Sequence, residues 1–247
     1  MRPYTLAWGR HRLELGPRTL VMGIVNVTPD SFSDGGRFLG RDNAIDQGIR
    51  LMDEGADILD IGGESTRPFS NPVSTEEELR RVIPVIEALS RQGSVPISID
   101  TTKAEVARQA LAAGASIIND ISALRVDPAM AEVAVRHAVP IILMHMLGTP
   151  KTMQVEPSYD DVVVEVRAFL RQAVDQAVQA GIPADRIIVD PGIGFGKTRA
   201  HNLRLLQGIS LFHALGCPIL LGASRKRFIG DLTGTPTAAD RVPGSLS

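Results

Sequence analysis

Short apolar runs rich in β-branched residues recur along this chain, and amphipathic stretches separate them. The runs are Leu20–Val27, Ile58–Ile61, Pro96–Ile99, Ser116–Ile121, Pro140–Met144, Ile187–Val189 and Pro218–Leu221. Runs without polar alternation belong to strands covered on both faces, the pattern of a parallel sheet wrapped by helices. Helices are predicted over Glu76–Ser90, capped by Ser74-Thr75 with carboxylates in the first turn, and over Ala104–Ala113, stopped by Gly114. Two more are predicted over Pro128–Ala138 and Tyr159–Ala180, the latter ended by Gly181. Ahead of them, Thr5–Trp8 and Arg12–Leu15 flank Gly9-Arg10-His11 and read as a hairpin that caps one end of a barrel. No linker or composition break divides residues 1–247, so one domain is expected.

A closed barrel of this type needs eight strands, and the pattern shows seven. In the tail Arg241-Val242-Pro243-Gly244-Ser245-Leu246-Ser247, Ser245 reads as the cap of a further helix. The expectation is an α/β fold, a (β/α)8 TIM barrel with a short N-terminal β-hairpin, its final strand and helix missing from this chain. An open seven-stranded fold is the other reading, disfavoured because exposed strand edges template association.

Composition narrows the function classes. The 247 residues are 44% hydrophobic and 22% charged with a net charge of −2, which gives no general pull toward nucleic acid or anionic membrane. The one cysteine, Cys217, cannot form an internal disulfide. The N-terminus lacks the long apolar run of a signal peptide, and no segment approaches the roughly 20 apolar residues of a membrane span. A soluble cytoplasmic protein is expected.

In a parallel barrel the C-terminal strand ends and the loops after them form the active site. Those ends carry Asn26, Glu64, Asp100, Asn119-Asp120, His145, Asp190 and Ser224. Any one of them has an ordinary reading as a loop cap or satisfied buried group. A whole row in phase is different, because an isolated buried carboxylate costs several kcal/mol unless compensated, and a ligand with matching donors compensates it. Asp60 lies inside its strand and is expected to be structural, bonded to a neighbouring strand or loop backbone.

The loops add detail. Asn26 to Gly36 holds the turn formers of a lid, or of a plain surface loop. Gly62 to Pro68 sets backbone N–H groups beside Arg67, a combination suited to anionic oxygens. Gly222-Ala223-Ser224-Arg225-Lys226-Arg227 follows the seventh run, where barrels frequently hold phosphate; its cations also read as a solvated cluster, and no aromatic interleaving favours nucleic acid. Asp190 to Thr198 ends in Gly-Lys-Thr, but a P-loop requires glycine where Pro191 stands. No zinc spacing or nucleophile elbow occurs, while the Asn26 carbonyl suits a hard cation such as Mg²⁺.

Taken together, the segments Met22–Gly36, Asp60–Pro68, Ser98–Thr101, Ile118–Asp120, Met144-His145, Asp190–Lys197 and Ser224–Lys226 resemble the dihydropteroate synthase family, in the family's order from about residue 20 onward. The resemblance implies a barrel, usually dimeric, that joins 6-hydroxymethyl-7,8-dihydropterin diphosphate to 4-aminobenzoate in folate synthesis and releases diphosphate. It implies pterin binding by Asp100, Asn119, Asp190 and Lys226, with Ile121, Met144 and Phe195 as apolar walls. Asn26 matches the Mg²⁺ ligand, and Thr66 and Arg67 fall in the loop that meets the substrates. Phe32, Asp34 and Pro68 belong to two mobile loops over aminobenzoate, with Asp34 grouped with Asp100, Asp190 and Lys226 as catalytic.

Two departures qualify the resemblance. The family's last strand carries an Arg-x-His segment that helps bind diphosphate, and none follows here. Arg227 stands where serine is frequent, and either meets the aminobenzoate carboxylate or points into solvent. The rival readings are a pterin-barrel methyltransferase, which needs neither long loop nor the Ser-Arg-Lys turn, and a non-catalytic pterin-binding module.

Overall fold

The computed structural model describes residues 4–28, 37–65, 72–149, 152–153 and 156–246. The chain opens with a hairpin, β1 (Tyr4–Trp8) antiparallel to β2 (His11–Leu15), turned at Gly9, whose φ of +50° suits a two-residue hairpin loop. Leu6 and Trp8 drive the hairpin into the core, where β1 meets the short 3-10 turn Ala184–Arg186. That turn leads into the N-terminal end of a sheet strand, so the hairpin plugs the end opposite the candidate site.

Six strands then alternate with helices. They are β3 (Met22–Asn26), β4 (Ile58–Gly62), β5 (Ile97–Asp100), β6 (Ile117–Asp120), β7 (Ile141–Met144) and β8 (Ile187–Asp190), all parallel and paired in sequence order. Between them run α1 (Arg37–Asp53), α2 (Thr75–Gln92), α3 (Ala104–Ala113), α4 (Met130–His137) and α5 (Val162–Gln179). After β8 come α6 (Arg199–Gln207), α7 (Arg227–Thr233) and α8 (Val242–Leu246). Strands β4, β6, β7 and β8 are buried at every position, as continuous apolar runs between helices demand. Buried side chains from Leu6 to Ile229 form one contiguous cluster.

The helix boundaries follow local chemistry. Ser74 Oγ accepts from Glu77 N–H at 3.2 Å, and Glu76, Glu77 and Glu78 fill the first turn of α2. Asp161 caps α5 by accepting from Val163 and Val164. Thr198 caps α6 in a capping box with His201, which accounts for the Gly-Lys-Thr end without any phosphate. The helices α1, α6, α7 and α8 lie outside the predicted set; α1 carries Gly40, Asp42, Asn43 and Asp46 in its first ten residues, which blurs an apolar stripe.

Two expectations change at the far end. The seventh run is a single parallel bridge, Val189 to Ile219, held by Val189 N–H to Pro218 O at 3.0 Å and Leu220 N–H to Val189 O at 2.9 Å. It has one ladder neighbour, and among the described residues no strand lines its other side or the outer edge of β3, where Leu221 and Ile24 are 43% and 46% exposed. Ser245 is not an N-cap. It lies within α8, where its Oγ accepts from Arg225 N–H and donates to Arg241 O, both at 2.9 Å, fastening the helix to the loop after the seventh run. Cys217, at the head of that run, is buried, and burial raises its thiol pKa against the opposing charge of Arg171.

Candidate active site

Each parallel strand delivers its last residue to the same end of the sheet, and these ends converge. Asp100 is registered beside both Gly62 and Asn119, and Met144 beside Asp190. A side chain at Gly62 would lie in contact with the Asp100 carboxylate, at 3.4 Å. A cavity of about 280 Å³ opens at this end, lined by Asp100, Ile121, Met146, Arg125 and Glu64 among others.

The carboxylates share a charge problem. Burial raises the pKa of Asp100 well above the usual range, and Asp60, Glu78, Asp120 and Glu64 raise it further. Asp190 is also raised by burial, opposed by the N–H of Gly192 on its Oδ1 at 2.7 Å and by the charges of Lys226 and Lys197. Lys226 is depressed by burial, while Asp190 and Asp100 pull it back. Its Nζ sits 4.1 Å from the centroid of the Phe195 ring. Asp100, Asp190 and Lys226 therefore form one electrostatic group, although they come from β5, β8 and the loop before α7.

Asp60 proves different from the expectation. Its partner is a side chain and not backbone: Asn119 Nδ2 donates to Asp60 Oδ2 at 3.1 Å across the interior, from two strands away. At 4% exposure, Asp60 is raised to about 6 by burial, opposed by the Ser98 hydroxyl and the Asn119 amide beside it, with Asp190 adding to the rise. The structure thus adds Asp60 to the site as the group that orients Asn119.

An apolar patch stands apart from the main core. Ile121, Met144, Met146 and Met153 form a separate buried cluster against which Phe195 packs. The three apolar residues singled out from the sequence are in it, and Met146 and Met153 join them. A flat ring has a wall to lie on here.

Other members of the polar row are absorbed locally. Asp120 accepts from Ser122 N–H, Ser122 Oγ and Leu124 N–H, holding a turn in which Ala123 and Leu124 take positive φ. His145 is buried against Phe169 and Tyr159. Ser224 and Arg227 are exposed, and Arg227 begins α7. Asn26 is exposed at the end of β3. Phe32, Asp34, Thr66, Arg67 and Pro68 lie outside the described residues.

Glu64 leads to a network that local pattern does not show. Lys103 Nζ pairs with Glu64 Oε2 and, at 2.5 Å, with Glu78 Oε2, and Glu78 is wholly buried. Burial works against the Lys103 ammonium, but the two carboxylates overcome it and its pKa is raised. Arg81 adds a bond from Nη1 to Gly63 O at 2.8 Å. The stem of the loop after β4 is thereby tied to α2. Lys103→Met strands the Glu78 carboxylate, and a loss of about 3 kcal/mol in urea unfolding is expected. Adding Glu78→Gln to that variant should recover part of the loss; an additive double variant would show that the pair is uncoupled.

Among the described residues no group of three His, Cys, Asp or Glu side chains that could hold a metal ion comes together, and Asn26 offers one exposed carbonyl oxygen at the end of β3. One neutral oxygen fits a Mg²⁺ that takes its other ligands from water and a phosphate-bearing substrate. No described helix is long and apolar enough to cross a membrane.

Known proteins resemble this chain over most of its length. The pterin binding enzyme family matches residues 22–247. The dihydropteroate synthase of Synechocystis is 49% identical over 243 residues, covering 98% of this chain and 84% of that protein. A solved dihydropteroate synthase from Xanthomonas albilineans with 4-aminobenzoic acid superposes with a TM-score of 0.93 at 51% identity, covering 99% of this chain and 87% of that one. Another from the same organism, in complex with 7,8-dihydropteroate, gives 0.85 at 50% identity over 94% of this chain and 83% of that one. The architecture is the α/β barrel of these enzymes, and the chain belongs to the dihydropteroate synthase family of pterin-binding transferases.

Proposed function

We propose that this pocket joins 6-hydroxymethyl-7,8-dihydropterin diphosphate to 4-aminobenzoate, forming 7,8-dihydropteroate and diphosphate for folate synthesis. The observation that supports this most is the meeting of Asp100, Asp190 and Lys226 beside an Asn119 oriented by Asp60 and an apolar wall for a flat ring. The pterin edge presents an amino group and a ring N–H side by side. Asp190, whose Oδ1 is already taken by Gly192, accepts from that edge, and Asn119 and Lys226 serve the ring's acceptors. Ile121, Met144 and Phe195 enclose the ring faces.

The reaction is a substitution at the pterin methylene. As its C–O bond to diphosphate breaks, positive charge spreads into the ring, and the fixed Asp100 and Asp190 carboxylates stabilise it. The arylamine lone pair then forms the C–N bond, and its proton leaves to water, so no strong base is required. In this reading Thr66 serves the pterin diphosphate, Phe32, Arg67, Pro68 and Arg227 serve aminobenzoate, and Asp34 acts as a catalytic group. Asn26 would hold Mg²⁺, which would supply positive charge to neutralise the leaving diphosphate. The proposal extends to a cytoplasmic homodimer, which sedimentation of the purified protein tests.

Calorimetry with the pterin diphosphate, with and without Mg²⁺, should show binding strengthened by the metal. Diphosphate release should then require aminobenzoate. Binding without release would favour the non-catalytic module.

A further inference from the structure

Lys197 is the part of the Gly-Lys-Thr segment that this reaction leaves without a role. It is only 3% exposed, and no carboxylate of the described residues touches its Nζ. The contacts are instead three acceptors on two chain segments: Phe195 O at 2.9 Å, His145 Nδ1 at 3.0 Å and His145 O at 3.4 Å. His145 directly follows β7, and Phe195 lies in the loop that follows β8. An ammonium has three donors, so the match is one bond for each hydrogen.

The surroundings make that junction tight. Gly196, at φ +65°, is so close to the residue after Met146 that a side chain there would stand 2.8 Å from Leu147 O. Tyr159 donates its hydroxyl to Gly196 O at 2.8 Å. His145 is wedged against Phe169, with ring centroids 4.8 Å apart. Burial, then the charges of Lys197 and Arg125, depress its pKa to about 3, so the ring is neutral, and in the tautomer protonated at Nε2 its Nδ1 accepts from Lys197. Beyond the loop, Phe195 lies against Lys226 on one side and the methionine cluster on the other.

We propose that Lys197 is a positioning residue for the pterin pocket, its side chain clamping the segment after β7 to the loop after β8 so that Phe195 and Met144 form one wall. The proposal rests on the pterin-binding reading and deepens it. Lys197 reaches no reacting atom; it acts through Phe195 and His145.

The clamp has a pH dependence of its own. Burial depresses Lys197 to about 7, with Asp190 on β8 opposing the shift and Lys226, before α7, adding to it. Arg125, from the turn after β6, faces His145; His201 on α6 is itself depressed by burial and by Lys197. The Tyr159 hydroxyl is raised to about 12 by burial and by Glu165, so it stays a donor throughout. Below about pH 7 the ammonium satisfies all three acceptors; above it the neutral amine has two hydrogens for three acceptors, and the clamp loosens.

The test compares wild type, Lys197→Met and His145→Phe in binding 6-hydroxymethylpterin and in steady-state kinetics from pH 6.5 to pH 9. Lys197→Met should raise the KM for the pterin diphosphate and the Kd for the pterin by about 10- to 100-fold, the range of buried bonds to a charged group. The KM for aminobenzoate should stay within about threefold, and the weakening of wild type between pH 7 and 8.5 should be reduced in this variant. His145→Phe keeps the ring packing and removes one acceptor, so a smaller loss in the same parameter is expected, which decides the matter if Lys197→Met does not fold. Unchanged pterin affinity in Lys197→Met, or in His145→Phe where only that variant folds, overturns the clamp. So does an unaltered pH response in Lys197→Met. Failure of wild type to bind pterin would instead overturn the pocket assignment itself.

Discussion

Asp100→Asn is expected to lower turnover about a thousandfold while the KM for aminobenzoate stays within about threefold. The substitution keeps shape and removes charge. It therefore isolates what a carboxylate does in the proposed reaction, where positive charge develops on the pterin. The alternative, a carboxylate that only fills space, predicts unchanged turnover in a steady-state assay. Stability separates the two further. The pKa of Asp100 in the folded protein is raised, above all by burial, so its protonated form suits the fold. Stability is then greatest below the unfolded value of about 4 and is lost as pH rises toward the folded value. The asparagine variant should accordingly melt no lower than wild type at neutral pH, and a large fall in turnover cannot be ascribed to unfolding. The same raised pKa should carry the acid limb of wild-type kcat/KM above the ordinary carboxylate range, because only the ionised group stabilises the cation.

Gly192→Ala should be the most disruptive single methyl group that can be added at this end of the barrel. Gly192 has φ +68°, where alanine costs about 1 kcal/mol, and that alone would be tolerable. The decisive contact is steric. The new carbon would stand 1.9 Å from His145 O, a backbone atom fixed because His145 N–H itself donates to Asp190 O at 2.9 Å. Relief requires moving the loop after β8, which breaks the bond from Gly192 N–H to Asp190 Oδ1 and shifts Phe195. A loss on the order of 5 kcal/mol, or failure to accumulate folded protein, is expected from urea unfolding. Gly222→Ala is the control, since that glycine has nothing within 4 Å of the added carbon; equal stability of the two variants would dismiss the packing argument.

The site was legible in the sequence to the extent that it follows strand period. A strand buried on both faces reads as an apolar run, and the polar residue at its C-terminal end marks where it leaves the sheet; Asp100, Asn119 and Asp190 stand at such ends. What escaped depends on distance across the fold. Asp60 sits in mid-strand, and its partner Asn119 is 59 positions away, so no local pattern announces that a buried carboxylate orients a buried amide. Glu78 looks from sequence like any first-turn acid that favours the helix dipole, and its pairing with Lys103 exists only once α2 and α3 pack. The seventh run contains a strand's residues, but only Ile219 pairs with Val189, so it forms a bridge and no ladder. Ser245 has the chemistry of a cap and is spent on a tie between α8 and Arg225.

Cys217 has a practical consequence. The only thiol of the chain is enclosed, and burial keeps it in the unreactive protonated form. A maleimide dye or spin probe therefore meets a molecule that is chemically silent toward it. A cysteine introduced at Ser224, exposed in the loop after the seventh run, would be the sole labelling handle, and that loop could be followed spectroscopically without first engineering a cysteine-free background.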